Sequence, residues 1–387
     1  MNESCPIFGS GNSNRLGGDR MRLFTIGPVE MFDEVKAVRG NGESVPYFRT
    51  QEFSDMMLDT DRLLCKFAGT GESSHTVYLT ASGTGAMEAA VLNCFTPKDR
   101  LLIIDGGTFG HRFVEICAMH GIPHNVISLA FGEVLEERHF EGHHDSEYSA
   151  LLVNVDETST GQLYDMELIS NFCREKGMFL VVDAISSFLC DSFDMDSWGV
   201  DVMIASSQKG PCVSPGLSMV LLSEKILRER VMKSDYRSIY FGFKSYLENF
   251  KRGQTPFTPA VGVCVELHAA LCRIERIGLS RHLTQIAEVA KDFRDRLQEL
   301  PVRIPSYPLS NAVTPVIFDE PVAYRVFEQL KDCYGIFVNP TGGALHDTMF
   351  RVAHIGQTTV EDNRVLIARI REAMDAICRG SNQLPGR

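Results

Sequence analysis

Short, almost wholly apolar runs alternate along this chain with longer stretches in which apolar residues return every three or four positions. The short runs have the texture of strands buried on both faces, and the longer ones that of helices laid across them. On that pattern strands are predicted at Leu101–Asp105, Asn125–Leu129, Ala150–Val155, Phe179–Asp183, Asp201–Ala205 and Leu217–Leu222. Helices are predicted at Gly85–Cys94, Phe109–His120, Met166–Lys176 and Thr258–Ile277. The alternation implies an α/β fold, a mostly parallel sheet covered by helices.

After about Ile277 the texture changes. Charged helices are expected at Ser280–Leu300, Val322–Asp332 and Val360–Ile377, with short strands near Val313–Phe318 and Phe350–Ala353. The expected organisation is therefore a flexible arm over 1–24, a large domain over 25–277 and a smaller α+β domain over 278–387. No stretch is apolar for long enough to span a bilayer, and the first twenty residues lack the apolar core of a signal peptide.

The formal net charge of −12 argues against a nucleic-acid partner, whose phosphates need a basic surface. A few local Arg and Lys residues can still hold a small anion. Eleven cysteines without any CxxC pair point to reduced thiols and a cytoplasmic setting. No ligand spacing links His75, His111, His124 or the pair His143-His144, so no metal is expected.

Three segments carry candidate chemistry. Ala205-Ser206-Ser207-Gln208-Lys209-Gly210 follows an apolar strand. A lysine at a strand end, in a Ser/Gly-rich turn, is positioned and partly desolvated as a nucleophilic amine must be; an ordinary loop lysine is the alternative. Val181-Val182-Asp183-Ala184 ends a strand on a carboxylate, which needs a cationic or hydrogen-bonding partner once buried. A protonated pyridine nitrogen is one such partner, and a helix N-cap is the other reading of Asp183. Ala81-Ser82-Gly83-Thr84-Gly85-Ala86 runs small residues into a helix start, where free N–H groups favour a phosphate or simply a cap. Their order is the one a pyridoxal phosphate (PLP) site in an aspartate-aminotransferase-like fold requires.

At these residues the chain resembles the class V aminotransferases, particularly the alanine–glyoxylate and serine–pyruvate branch. Further matches are Leu23-Phe24-Thr25-Ile26-Gly27-Pro28, Asp105-Gly106-Gly107-Thr108-Phe109-Gly110-His111-Arg112, Glu157-Thr158-Ser159-Thr160-Gly161, Gln254-Thr255-Pro256 and Phe350-Arg351-Val352-Ala353-His354-Ile355-Gly356. The resemblance implies fold type I, with a large PLP-binding domain and a small C-terminal one. It gives Lys209 the Schiff base and Asp183 the pyridinium nitrogen. Ser82, Gly83, Thr84 and Gln208 fall to the phosphate, Phe109 to stacking on the ring, and Thr158 to the phenolic oxygen. Thr255 would reach the phosphate of a neighbouring subunit, implying a homodimer with shared sites, and Arg351 would clamp the substrate carboxylate.

The activity so implied moves an amino group from alanine or serine to glyoxylate or pyruvate. Departures from the family pattern are Phe48-Arg49 for a usual His-Arg, Arg252 for a tyrosine, and Ala353 for a glycine. Arg252 could contact phosphate or substrate, or be a surface-loop arginine; His346 and His354 are candidates to line the pocket. Cys212 is open between a redox-sensitive and an inert thiol. Asp183–Phe188 and Thr255–Pro259 also resemble a 2-aminoethylphosphonate–pyruvate aminotransferase. Cysteine desulfuration, with Cys333 as nucleophile, and a non-catalytic homologue are the remaining alternatives.

Overall fold

A computed structural model describes residues 21–40, 45–71, 74–143 and 147–381. Residues 1–20 of the expected arm lie outside the described residues. The strands, in chain order, are β1 (Arg22–Leu23), β2 (His75–Leu79), β3 (Leu101–Asp105), β4 (His124–Ser128), β5 (Ala150–Asn154), β6 (Asp156–Glu157), β7 (Gln162–Leu163) and β8 (Phe179–Asp183). They continue with β9 (Val202–Ser206), β10 (Ser218–Leu222), β11 (Val302–Arg303), β12 (Val313–Phe318), β13 (Ile336–Phe337), β14 (Asn339–Pro340) and β15 (Met349–Ala353). The first helices are α1 (Asp33–Gly40), α2 (Gln51–Phe67), α3 (Gly83–Cys94), α4 (Thr108–Met119), α5 (Met166–Lys176) and α6 (Met195–Trp198). Then come α7 (Glu224–Glu229), α8 (Phe243–Phe250), α9 (Val261–Ile277), α10 (Leu279–Leu297), α11 (Ala323–Tyr334) and α12 (Val360–Ser381).

A seven-stranded sheet has the order β2-β10-β9-β8-β5-β3-β4, with β10 alone running against its neighbours. Its central strands feed two cores by the two-residue period of a pleated strand. In β8, Leu180 and Val182 face the core under α2, α5 and α9, while Phe179 and Val181 face the one under α3 and α4. Double-sided burial is why these strands read as unbroken apolar runs. α5 stands out equally well, because Asp165 caps its start and Gly177, at φ 66°, ends it in a left-handed turn.

The small domain packs α10, α11 and α12 on the antiparallel sheet β11-β12-β15-β14. Residues 22–24, counted with the arm in the sequence reading, belong to this packing instead. β1 pairs in parallel with β13, and Phe24 is buried with Phe293, Val316 and Phe350. The helix expected from Thr258 begins at Val261, since Pro259 cannot supply an N–H and restrains the residue before it. Among the described residues no helix is long and apolar enough to cross a membrane.

The connection from β3 crosses to β4 on one side, and that from β5 to β8 on the other. Their carboxyl ends therefore flank a point where the winding reverses, and the crevice there is the standard ligand site of an open α/β sheet.

Candidate active site

Lys209 follows the end of β9 at that carboxyl edge. Its turn is tight: a Cβ on Gly210 would lie 1.9 Å from the Phe188 carbonyl oxygen, so only glycine fits after the lysine. Gly27 packs on the lysine stem, where an added Cβ would sit 3.0 Å from Lys209 Cδ. The lysine is half-buried, and burial lowers its amine below the ordinary lysine range. The acids Asp156 and Asp183 oppose that shift, while the Arg351 guanidinium adds to it.

Asp183 ends β8, in register with Asn154 of β5, and is buried. Asn154 Nδ2 donates to its Oδ2 at 2.9 Å and the Ile185 N–H to its Oδ1 at 2.8 Å. Burial pushes the carboxyl up to about 7 against these two donors. No helix begins after Asp183, so it is not the helix N-cap that the sequence offered as the other reading; the Ile185 contact closes a local turn and leaves a carboxylate in the crevice.

α3 starts at the carboxyl end of β2. The exposed Ser82 caps it, its Oγ accepting from the Gly85 N–H at 3.4 Å, with Gly83 buried and Thr84 exposed beside it. Gln208 receives a hydrogen bond on Oε1 from Ser206 Oγ at 2.8 Å, which turns its NH2 group the other way. Phe109 lies half-buried in the first turn of α4. Thr158 Oγ1 lies 2.6 Å from Ser186 Oγ, which donates to Asp156 Oδ1 at 2.6 Å. Burial, reinforced by the nearby Asp191, drives the Asp156 carboxyl well above the usual carboxylate range.

Arg351 reaches these turns from the small domain. It sits on β15, donates from Nη1 to the Thr158 carbonyl at 3.1 Å and from Nη2 to the Pro340 carbonyl at 3.2 Å. Its buried Nε has no partner. A guanidinium held by two neutral carbonyls and one unmet donor is poised for an anion.

Other expected residues lie elsewhere. Thr255 donates to the Phe257 carbonyl at 2.7 Å, on a segment that Arg49 holds through Gln254, Thr255 and Pro256. Among the described residues its hydrogen bond stays within its own segment and does not reach Ser82, Gln208 or Lys209. Arg252 donates to Asn249 on the surface. His354 is buried against Phe293 and bonded to Thr314, and His346 stacks on Tyr324 beside Asp347, so neither joins the group around Arg351. Cys212 is fully buried, its thiol pushed up to about 12 by burial, which makes it inert. Cys333 is exposed on α11 and donates to Gln329.

The structure gives Glu157 a role that its motif does not suggest. α4 begins at Gly107 with no side-chain cap of its own. The buried Glu157 carboxylate accepts from the N–H groups of Phe109 at 3.2 Å, Gly110 at 2.8 Å and Ser159 at 3.0 Å. It thereby caps α4 from across the crevice and fixes the backbone that carries Phe109. Glu157→Ala is expected to lower unfolding stability by about 1–3 kcal/mol, the cost of orphaning such donors, read as a lower urea midpoint. An unchanged midpoint would show that water caps α4 equally well.

A family model described as "Aminotransferase class-V" matches residues 30–343. The chain belongs to the class-V aminotransferases. It is 28% identical over 298 residues to an L-aspartate–glyoxylate aminotransferase of Paracoccus denitrificans, covering 72% of this chain and 73% of that protein. It is 30% identical over 329 residues to a protein of Anabaena cylindrica called soluble hydrogenase 42 kDa subunit, covering 83% and 85%; that name describes the relative alone. In structure it matches an aspartate aminotransferase of Thermus thermophilus with a TM-score of 0.84 at 27% identity, covering 92% of this chain and 99% of the other. This class-V aminotransferase is accordingly a fold-type I enzyme whose cofactor is PLP.

The residues fit that cofactor. Asp183 is a buried acid whose two oxygens take only neutral donors, and Asn154 Oδ1 beside it lacks a partner. A ring nitrogen bearing a proton would supply the missing charge. The N-terminus of α3 offers the N–H groups that a phosphate takes, and Lys209 offers a desolvated amine.

Proposed function

We propose that this aminotransferase moves an amino group from a small amino acid, alanine or serine, to glyoxylate or pyruvate. The observation that carries the reading is Arg351, half-buried with a buried, unmet Nε and bonded to the Thr158 turn. A carboxylate common to both substrates would meet that donor and one Nη bidentately. Glyoxylate as acceptor agrees with the name of the Paracoccus relative.

PLP, when bound, supplies an electron sink for the carbanion developing at the donor Cα. The protein's residues do the rest. Lys209 would hold the cofactor, then, once displaced by the donor, carry the proton between the donor Cα and cofactor C4′. Burial shifts the lysine toward its neutral form, the direction a base requires. Asp183 would keep the ring nitrogen protonated, and Phe109 would pack on the ring face. Ser82, Gly83, Thr84 and Gln208 would take the phosphate, and Thr158 the phenolic oxygen. Thr255 would serve the phosphate of a second copy, so the working unit is a homodimer.

A panel of alanine, serine, aspartate, cysteine and 2-aminoethylphosphonate against glyoxylate and pyruvate tests the reading. Turnover of the phosphonate alone, or sulfide release from cysteine, would replace it. Arg351→Gln is expected to cut kcat/KM about 10- to 150-fold for every carboxylate donor, as charge-assisted hydrogen bonds contribute about 1.5–3 kcal/mol. The cofactor band should persist. An equal loss with and without a donor carboxylate would assign Arg351 to cofactor or fold instead.

A further inference from the structure

Away from the crevice, α9 carries His268 and Cys272 one turn apart, hence on one face, and that face meets Asp59 of α2. His268 Nε2 lies 2.9 Å from Asp59 Oδ2 and 3.5 Å from Cys272 Sγ. The three donor atoms all lie within 4.8 Å of one another, and all three residues are half-buried. One proton on Nε2 can point at only one of its two neighbours. A divalent cation would take a lone pair from all three.

The distances suit such an ion. Zinc bonds of about 2.0–2.1 Å to nitrogen or oxygen and about 2.3 Å to sulfur, arranged tetrahedrally, put N···S near 3.5 Å and N···O near 3.3 Å. The nitrogen–sulfur pair already stands at that separation, the nitrogen–oxygen pair at 2.9 Å would open by roughly 0.4 Å, and the oxygen–sulfur pair, within 4.8 Å, would settle at about 3.5 Å. Imidazole with a thiolate selects a borderline-soft metal over magnesium or calcium. Arg62 Nε donates to the other Asp59 oxygen, Oδ1, at 2.9 Å and is itself paired with Glu275, which Lys66 also meets. It would orient the ligating carboxylate, the part that outer hydrogen bonds play at metal sites.

We infer that Asp59, His268 and Cys272 form a zinc-class divalent-cation site with one open position, a clip between α2 and α9 that is separate from the transamination chemistry. In sequence nothing links Asp59 to His268, which lies 209 residues further on. Packing of α2 against α9 brings them together.

The test uses PLP-loaded protein treated with chelator, with Cys333→Ser and Cys378→Ser removing the two thiols exposed among the described residues and Cys5→Ser removing the one outside them. Zinc is titrated in competition with a chromophoric chelator. One zinc per chain is expected, with affinity falling at least about 10- to 100-fold in Cys272→Ala and in Asp59→Asn, no less than loss of an outer partner would cost. Zinc should also raise the Tm of the parent more than that of either variant. Asp59→Asn keeps the side-chain shape, and an unchanged cofactor band reports that each variant is folded. Zinc affinity equal in parent and folded variants would overturn the site.

Discussion

Lys209→Ala is expected to lower the transamination rate by roughly 10²- to 10⁴-fold, the contribution of a well-placed proton-transfer group. The lysine stands where three constraints meet: Gly210 lets the chain pass under the Phe188 carbonyl, Gly27 packs on its stem, and burial lowers its amine. Stopped-flow measurement of the half-reaction with serine, with and without added methylamine, separates chemistry from folding. Partial rescue by the small amine would identify the missing group as a base. Full activity in the variant would remove Lys209 from the chemistry.

Asp183→Asn should cost roughly 10²- to 5 × 10³-fold in kcat. The substitution keeps the shape and the Ile185 contact while removing the charge opposite the ring nitrogen, and breaking a buried charge pair from one side costs about 3–5 kcal/mol. The cofactor-free protein gives an independent check through pH. Burial raises the folded Asp183 carboxyl from its ordinary 3.8 to about 7. Between those values the folded chain holds a proton that the unfolded chain has released. The associated stability is complete below about pH 4 and is lost as pH rises through about 7. The urea midpoint of apo wild type should therefore fall relative to apo Asp183→Asn across that window. A difference that stays flat from pH 4 to 7 would mean that Asp183 is ionised without cofactor.

The inner strands and the order of site residues were legible in the sequence for one physical reason. Strands buried on both faces leave nearly unbroken apolar runs, so Phe179–Asp183 emerges with the ends it has in the structure, as does Val313–Phe318 despite Thr314 and Pro315 within it. Residues that chemistry places at strand ends then stand out by contrast, as Asp183 and Lys209 do. The edge is harder to read. β2 opens on the exposed His75 and α2 mixes its apolar stripe Phe53, Met57, Leu64 and Phe67 with charges, so neither stands out in the sequence.

What sequence could not supply is partnership across the crevice. Asn154 lies beside Asp183 only because β5 and β8 run in register, and Glu157 caps α4 only because the winding reverses between β3 and β5. His354 looked like pocket lining because it follows Arg351 by three positions on an apparent motif. On strand and bend those three positions turn it into the small-domain core against Phe293. The role proposed for Thr255 would need a second copy of the chain, which one sequence does not display.

Covalent attachment of the cofactor is the claim on which the rest stands. Borohydride reduction of the purified enzyme, digestion and mass spectrometry should find a single phosphopyridoxyl group, on the peptide carrying Ser207-Gln208-Lys209-Gly210 and on Lys209 itself. The group on any other lysine, or on none, would contradict the account.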